Sequence, residues 1–275
     1  MSYRTLLTHA QPYGASDLRV EAAAALAIDL DAVLVGLAAE SLPVYAISDP
    51  YGMAAPQLTS ILVEQQTKNL EDAHKRFQEH AGSARQAWRS IRDLPTPSLA
   101  RAARSADLIL VGGVTAEAQD KNYAVNTGEL ILTAGRPVLV VPPSGGRLAA
   151  KKVLIAWKDS RESRRAVYDS LPFLLGADEV MILGVGAAED AESLHFETTD
   201  VAEQLKRHGV KSCRPTVAPA TGGGVEDEIL SQIDGFGADL VVAGGYGHSR
   251  ATEWVLGGVT RTLLHLPDRF VLLSH

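Results

Sequence analysis

A glycine-rich segment near the end of the chain contains residue types suited to binding a phosphate group. Glycines stand at Gly244, Gly247 and Gly257, and Gly258 follows directly. Glycine lets the backbone turn through positive φ and approach a bulky anion without a β-carbon in the way. A helix that begins near Gly257 would also direct free N–H groups and the positive end of its dipole towards the anion. The segment therefore predicts a phosphate-binding loop.

Two better known glycine signatures do not fit this segment. A dinucleotide fingerprint requires Gly-x-Gly-x-x-Gly after a first strand, whereas Gly245 and Gly247 are followed by Arg250. The chain has no Gly-x-x-x-x-Gly-Lys-Ser/Thr run, which argues against a phosphate-loop ATPase or kinase. His248 is a candidate phosphate contact in the same loop, although a loop histidine is more often simply solvated.

Length, composition and charge narrow the class of protein. The 275 residues suggest two domains of ordinary size. Hydrophobic residues make up 46 % and charged residues 21 %, which is a soluble globular composition and not a disordered one. A formal net charge of −7 disfavours binding to nucleic acid or to an anionic membrane. Cys213 is the only cysteine, and no basic and apolar leader opens the sequence, so the expected location is the cytoplasm.

Short runs rich in Val, Ile and Leu alternate with longer amphipathic stretches, which predicts βαβ units and a parallel sheet. The predicted strands are 4–8, 32–38, 85–90, 108–112, 138–141, 153–157, 179–185, 212–217, 240–243 and 270–273. The predicted helices are 18–28, 56–80, 98–105, 125–134, 161–174, 191–208, 225–236 and 257–265. Strands buried on both faces and joined by right-handed crossovers form a doubly wound sheet, whose ligand crevice lies beyond the carboxyl ends of the strands.

The two halves of the chain repeat each other. Residues 106–113 read ADLILVGG, and residues 238–245 read ADLVVAGG. Both copies lead through a loop and a helix to a last apolar strand, which indicates an internal duplication. Prolines and glycines within 142–147 stop regular structure, so the predicted domains are residues 1–147 and 148–275. The predicted fold is two tandem doubly wound α/β domains.

The glycine segment is similar to the nucleotide loop of the universal stress protein family, which runs Gly, two residues, Gly, nine residues, Gly and then Ser or Thr. Gly244, Gly247 and Gly257 fall on the three glycine positions, and Gly258 stands at the hydroxyl position, with Thr260 two residues later. The resemblance implies a Rossmann-like, adenine nucleotide alpha hydrolase-like fold. It also implies a cytoplasmic stress-response module that binds ATP or a related adenine nucleotide, with which Mg²⁺ can bind.

The resemblance implies further contacts from the strands of the second half. In the family the first strand ends in a small residue, a variable residue and an Asp that reads the adenosine. Here Lys158, which only donates hydrogen bonds, stands at the Asp position, and Asp159 comes next. Asp159 also fits the acidic cap of a helix, and we favour the cap. The nucleotide-binding set that the resemblance implies is Ala156, Lys158, Asp159, Val185, Ala243, Gly244, Gly247, His248, Gly257, Gly258, Val259 and Thr260.

The first half lacks the loop and is expected to be structural. No glycine follows Gly112 by three residues, and the opening strand contains no Asp. The two last strands are short and apolar, and they would be aggregation-prone edges if they were left bare. Because family members commonly dimerise through their last strands, we expect the halves to pack as a pseudo-dimer. The resemblance is also consistent with a homodimer.

Two other functions stay open. In one, Lys158 and Gly258 mark the loss of nucleotide binding, and the chain is an interaction or scaffold protein of the same fold. In the other, the protein is an enzyme that hydrolyses nucleotide slowly, although the sequence shows no evident acid, base or metal cluster beside the loop. The leading prediction is one nucleotide per chain, bound in the second half.

Overall fold

The computed structural model describes residues 2–43, 56–113, 122–220, 222–246 and 257–275. They form two compact units. The first unit is Tyr3–Ala134 with Pro143–Arg147, and the second contains Gly135–Pro142 and Leu148–His275.

The described part of the first unit is a parallel sheet with helical crossovers. Its strands are β1 (Thr5–His9), β2 (Val33–Ala39), β3 (Arg85–Ile91) and β4 (Leu108–Gly112). Its α-helices are α1 (Asp17–Asp29), α2 (Pro56–Ala81), α3 (Pro95–Ala102) and α4 (Thr127–Thr133). Strand β1 pairs with β2 and β4, and β2 pairs with β3. The order β3-β2-β1-β4 therefore reverses between β1 and β4, which is where ligands bind in doubly wound sheets.

The second unit repeats this arrangement. Its parallel strands are β6 (Lys152–Trp157), β7 (Glu179–Gly186), β8 (Cys213–Pro219), β9 (Leu240–Gly244) and β10 (Phe270–Ser274). Its α-helices are α5 (Arg161–Leu174), α6 (Ala191–Arg207), α7 (Gly224–Phe236) and α8 (Gly258–Leu264). The parallel order is β8-β7-β6-β9-β10, so the reversal lies between β6 and β9.

Strand β5 (Val138–Val141) belongs to the second unit and lies beside β10. It runs antiparallel to β10, with Val140 opposite Val271 and Leu139 opposite Leu272. All four of its residues are buried. In this ladder the apolar strands β5 and β10, the last strands of the two sequence copies, each cover an edge of the other. The sequence repeat assigns β5 to the first copy, whereas its contacts group it with the second unit. Packing of the halves as a pseudo-dimer stays a prediction.

The apolar runs form the core of both sheets because they are buried on both faces. Leu108, Ile109, Leu240 and Val242 are fully buried, and each such side chain contributes about 1.5–3 kcal/mol by leaving water. The terminal strand β8 includes Pro215, which fits a sheet edge because proline has no N–H to donate to a ladder. The predicted fold class, a doubly wound parallel α/β sheet in each half, is confirmed. None of the described helices is long and apolar enough to cross a membrane.

Candidate functional site

The predicted phosphate-binding segment starts at the end of β9 and finishes at the start of α8. Gly244 is the last residue of β9, and α8 has Gly257 as its N-cap. Ala243 pairs with Ala156 across β9 and β6, so the segment begins at the reversal point of the second unit. Gly247 and His248 lie outside the described residues.

Gly244 is in close contact with the first turn of α5. A β-carbon at this position would lie 2.6 Å from the backbone nitrogen of Ser163 and 2.9 Å from the Cβ of Glu162. Only glycine lets the end of β9 approach the backbone of α5 this closely. The sequence motif assigned Gly244 to the approach of a phosphate, and the structure adds a packing function for the same residue.

A hydrogen bond joins the two described ends of the loop. The backbone N–H of Tyr246 donates to Oγ1 of Thr260 at 3.5 Å, and Thr260 is buried. Tyr246 has a φ of 64°, in the left-handed region that a side chain disfavours by about 1–2 kcal/mol. Burial raises the pKa of the Tyr246 phenol to about 12. Thr260, expected to offer its hydroxyl to a nucleotide, thus also accepts the bond that closes the loop.

The start of α8 offers backbone donors. The N-cap Gly257 has no side chain that could accept a hydrogen bond from the first turn. The N–H groups in the first turn of a helix, here those of Gly258, Val259 and Thr260, have no intrahelical acceptor. Gly258 is exposed and Val259 is half-buried, so this helix end is accessible.

A carboxylate lies against the same helix start. Oε1 of Glu226, from the first turn of α7, occupies the space that a β-carbon on Gly258 would need. Gly258 therefore replaces the family's Ser or Thr at a place where a side chain would displace Glu226. A negative charge at a helix N-terminus is favourable, but it would repel a phosphate bound there. Glu226 lies within the predicted helix 225–236, and no sequence motif pointed to a function for it.

The end of β6 leads to Lys158 and Asp159, which are both exposed. Oδ1 of Asp159 forms an ion pair with Arg164 on α5. Lys158 stands at the Asp position of the family motif, so this strand presents a cation where the motif has an acceptor. Trp157, between Ala156 and Lys158, is buried, and its Nε1 donates to Glu197 at 3.3 Å.

The predicted helix cap by Asp159 is wrong. Ser160 is the N-cap of α5, and its Oγ accepts a hydrogen bond from the backbone N–H of Ser163 at 3.2 Å. The extended backbone of Ser160, with a φ of −147°, lets its hydroxyl reach back to the helix. Asp159 precedes the N-cap by one residue, and its carboxylate forms an ion pair with Arg164.

A second carboxylate, Glu162, is buried near the end of β9. Burial alone would raise the pKa of Glu162, but hydrogen bonds from Arg161 and Ser160 outweigh it and hold that pKa below its usual value. Val185, the predicted adenine wall, is half-buried on β7 opposite Ala218. Among the described residues no group of three or more His, Cys, Asp or Glu side chains could hold a metal ion.

The reversal point of the first unit contains an arginine. The guanidinium of Arg19, from α1, donates to the carbonyl oxygen of His9 through Nε at 3.2 Å and Nη2 at 2.7 Å. A β-carbon on Gly112 would lie 3.1 Å from Nη1 of Arg19, so the guanidinium contacts the ends of both β1 and β4. Burial lowers the pKa of Arg19 to about 10, and burial and the charge of Arg19 lower the pKa of His9 to about 3. A cation thus lies where the second unit has its glycine segment.

Solved structures resemble the chain over almost its full length. Neither a protein-family model nor a curated protein matches it. A universal stress protein from Archaeoglobus fulgidus superposes with a TM-score of 0.69 at 13% identity, covering 98% of this chain and 95% of that chain. A functionally unknown protein from Pseudomonas aeruginosa superposes with a TM-score of 0.61 at 14% identity, covering 99% of this chain and 92% of that chain. At these identities the likeness concerns the fold, and the chain has the fold of a universal stress protein.

Proposed function

We propose that this chain is a tandem universal stress protein that binds one adenine nucleotide, ATP or a relative, in its second half. The full-length likeness to a universal stress protein supports the family. The observation that carries the site is the start of α8 with its glycine N-cap, joined by the Tyr246–Thr260 bond to the end of β9 at the reversal point of the sheet. We retain residues 1–147 and 148–275 as the two domains and the cytoplasm as the location.

In this proposal the phosphates contact the start of α8, and the adenosine lies near the ends of β6, β7 and β9. The N–H groups of Gly258 and Val259 would bind phosphate oxygens, because they have no acceptor within the helix and lie at its positive end. Gly247 and His248 are assigned to the same group by the sequence motif. Ala156, Val185 and Ala243 would offer small or apolar surface to the base.

The negative charge of Glu226 affects how phosphates can bind at the start of α8. Its carboxylate is adjacent to Gly258, so phosphates at the helix start would meet a negative charge. Mg²⁺ is commonly held by one or two carboxylates together with substrate phosphates. The ion would supply positive charge between Glu226 and a phosphate. We therefore expect ATP to bind more tightly with Mg²⁺ than without it.

The test is a calorimetric titration of ATP into wild type and Glu226→Gln, with Mg²⁺ and with EDTA. Removing the charge should strengthen binding in EDTA by about tenfold, a change of about 1.4 kcal/mol, and should weaken the dependence on Mg²⁺. Glu228→Gln is the control, because Oε1 of Glu228 accepts from Gln232 within α7 at 2.9 Å. If Glu226→Gln and Glu228→Gln changed the affinity for ATP equally, the proposed position of Glu226 beside the phosphates would be contradicted.

A second candidate is an interaction or scaffold protein of the same fold that has lost nucleotide binding. Two observations favour the scaffold: the carboxylate of Glu226 lies at the start of α8, and Asp159 forms an ion pair with Arg164. Lys158→Asp separates the candidates, because it restores the acceptor of the family motif and should raise the affinity for ATP. No heat from wild type or from Lys158→Asp, with the fold intact, would support the scaffold.

We also retain the pseudo-dimer and homodimer as proposals. The antiparallel pairing of β5 with β10 supports pairing of the two last strands within one chain. Sedimentation of the purified protein would give its oligomeric state.

A further inference from the structure

The first unit has a surface cavity of about 520 Å³ between the edge strand β3 and α3. The 3₁₀ helix Ala103–Ser105, which follows α3, forms the rest of its wall. Its charged and hydroxyl-bearing lining residues are Arg89, Ser90, Ser98, Arg101, Arg104 and Ser105. No carboxylate is among its lining residues, so we call it the basic cavity.

Two of the three arginines have no carboxylate partner among the described residues. Nη2 of Arg89 donates to Oγ of Ser105 at 3.3 Å, and Nη1 of Arg104 donates to the carbonyl oxygen of Arg101 at 3.2 Å. Arg101 alone is neutralised, by an ion pair with Asp93. The basic cavity therefore retains positive charge in a chain whose formal net charge is −7.

The three guanidinium groups come from two facing walls. Arg101 and Arg104 are three residues apart on consecutive helical turns, so they share one face. Arg89 lies on the strand opposite, and its bond to Ser105 joins the walls. Arg89 and Arg104 lack a carboxylate partner among the described residues, so a bound anion would supply the opposite charge to both. The arrangement therefore favours a bound anion.

We propose that the basic cavity binds a small phosphate-bearing ligand with two or more negative charges. The planar guanidinium fork matches the oxygens of a phosphate. A volume of about 520 Å³ is in the range of small-molecule sites. Nucleic acid would require an extended basic stripe and is disfavoured by the net charge of −7. This site uses different residues from the proposed nucleotide site and does not depend on it.

Calorimetric titration with inorganic pyrophosphate at low ionic strength tests the proposal. Arg89→Gln and Arg104→Gln should each weaken binding by about tenfold, because each removes a charge-assisted contact. The matched control is Arg85→Gln, which removes the same charge from the same strand but from an arginine already paired with Asp31. The control should change the affinity by about twofold at most. Arg89 and Arg104 are exposed, so the thermal unfolding midpoint should stay unchanged.

Two results would overturn the proposal. The first is pyrophosphate binding that is absent, or that is equal in wild type, Arg89→Gln and Arg104→Gln. The second is tighter binding of a single-stranded oligonucleotide than of pyrophosphate, lost in the same variants, which would make the surface a nucleic-acid site. Gly247→Val separates this site from the nucleotide loop, because the basic cavity should still bind pyrophosphate in that variant.

Discussion

At the scale of single residues, the surroundings of the proposed nucleotide site could be predicted from the sequence only in part. The motif picks out the glycines at the ends of the loop because their spacing is local and their backbone chemistry is general, and their contact with a nucleotide stays a prediction. Glu226 was missed because its contact with Gly258 joins residues far apart in sequence, and no spacing pattern links them. The cap of α5 was misplaced by one residue, since Asp159 and Ser160 are both good caps and only the backbone conformation distinguishes them.

A buried histidine predicts how stability depends on pH. The pKa of His9 is about 3 in the folded protein, because of burial and the charge of Arg19, against an ordinary value of 6.5. Between these values the unfolded chain binds a proton that the folded chain does not. The free energy of unfolding should therefore fall as the pH drops below 6.5, by roughly 1 kcal/mol per pH unit from this group.

Urea unfolding of wild type and His9→Gln at pH 7, 6 and 5 would measure this effect. Since glutamine does not titrate, the variant should lose less stability on acidification than wild type. His195→Gln, at an exposed position on α6, should keep the wild-type pH dependence. The same slope for His9→Gln and wild type would contradict the assignment.

At the scale of elements, the apolar runs and amphipathic periods predicted the strands and helices with bounds shifted by a few residues at most. The largest shift is at α3, which was predicted from Ser98 and begins at Pro95. Proline is favoured in the first helical turn, where its missing N–H is not needed, so it marked the true start. The basic cavity could not be predicted, because it requires the position of β3 relative to α3.

The packing of α5 against β9 depends on Gly244. Gly244→Ala should lower the free energy of unfolding by about 1–3 kcal/mol, because the new β-carbon would meet the backbone of Ser163. Gly235→Ala is the control: it lies within α7 with nothing within 4 Å of a β-carbon. That change should be neutral or should stabilise by up to about 1 kcal/mol. Urea unfolding that finds both substitutions equally harmless would contradict the described contact.

At the scale of the whole molecule, the duplicated sequence gives two units of one architecture with different chemistry at the reversal point. The first unit has the guanidinium of Arg19 there, and the second has the glycine segment and helix α8 with its glycine N-cap. The repeat, and the absence of the glycine spacing after Gly112, could be seen in the sequence. The grouping of β5 with the second unit could not, since an apolar run predicts burial but not the strand beside it.

The central claim, one nucleotide per chain in the second half, is tested most directly by the stoichiometry of ATP binding. Calorimetric titration with ATP and Mg²⁺ is done in an Arg89→Gln, Arg104→Gln background, where the basic cavity no longer competes for phosphate, and it should give one equivalent. Gly247→Val should abolish the heat, because a β-carbon would both clash with the anion and forbid a positive φ, whereas Gly113→Val should leave it intact. Two equivalents, or one that survives Gly247→Val, would contradict the account, and no heat at all would favour the scaffold.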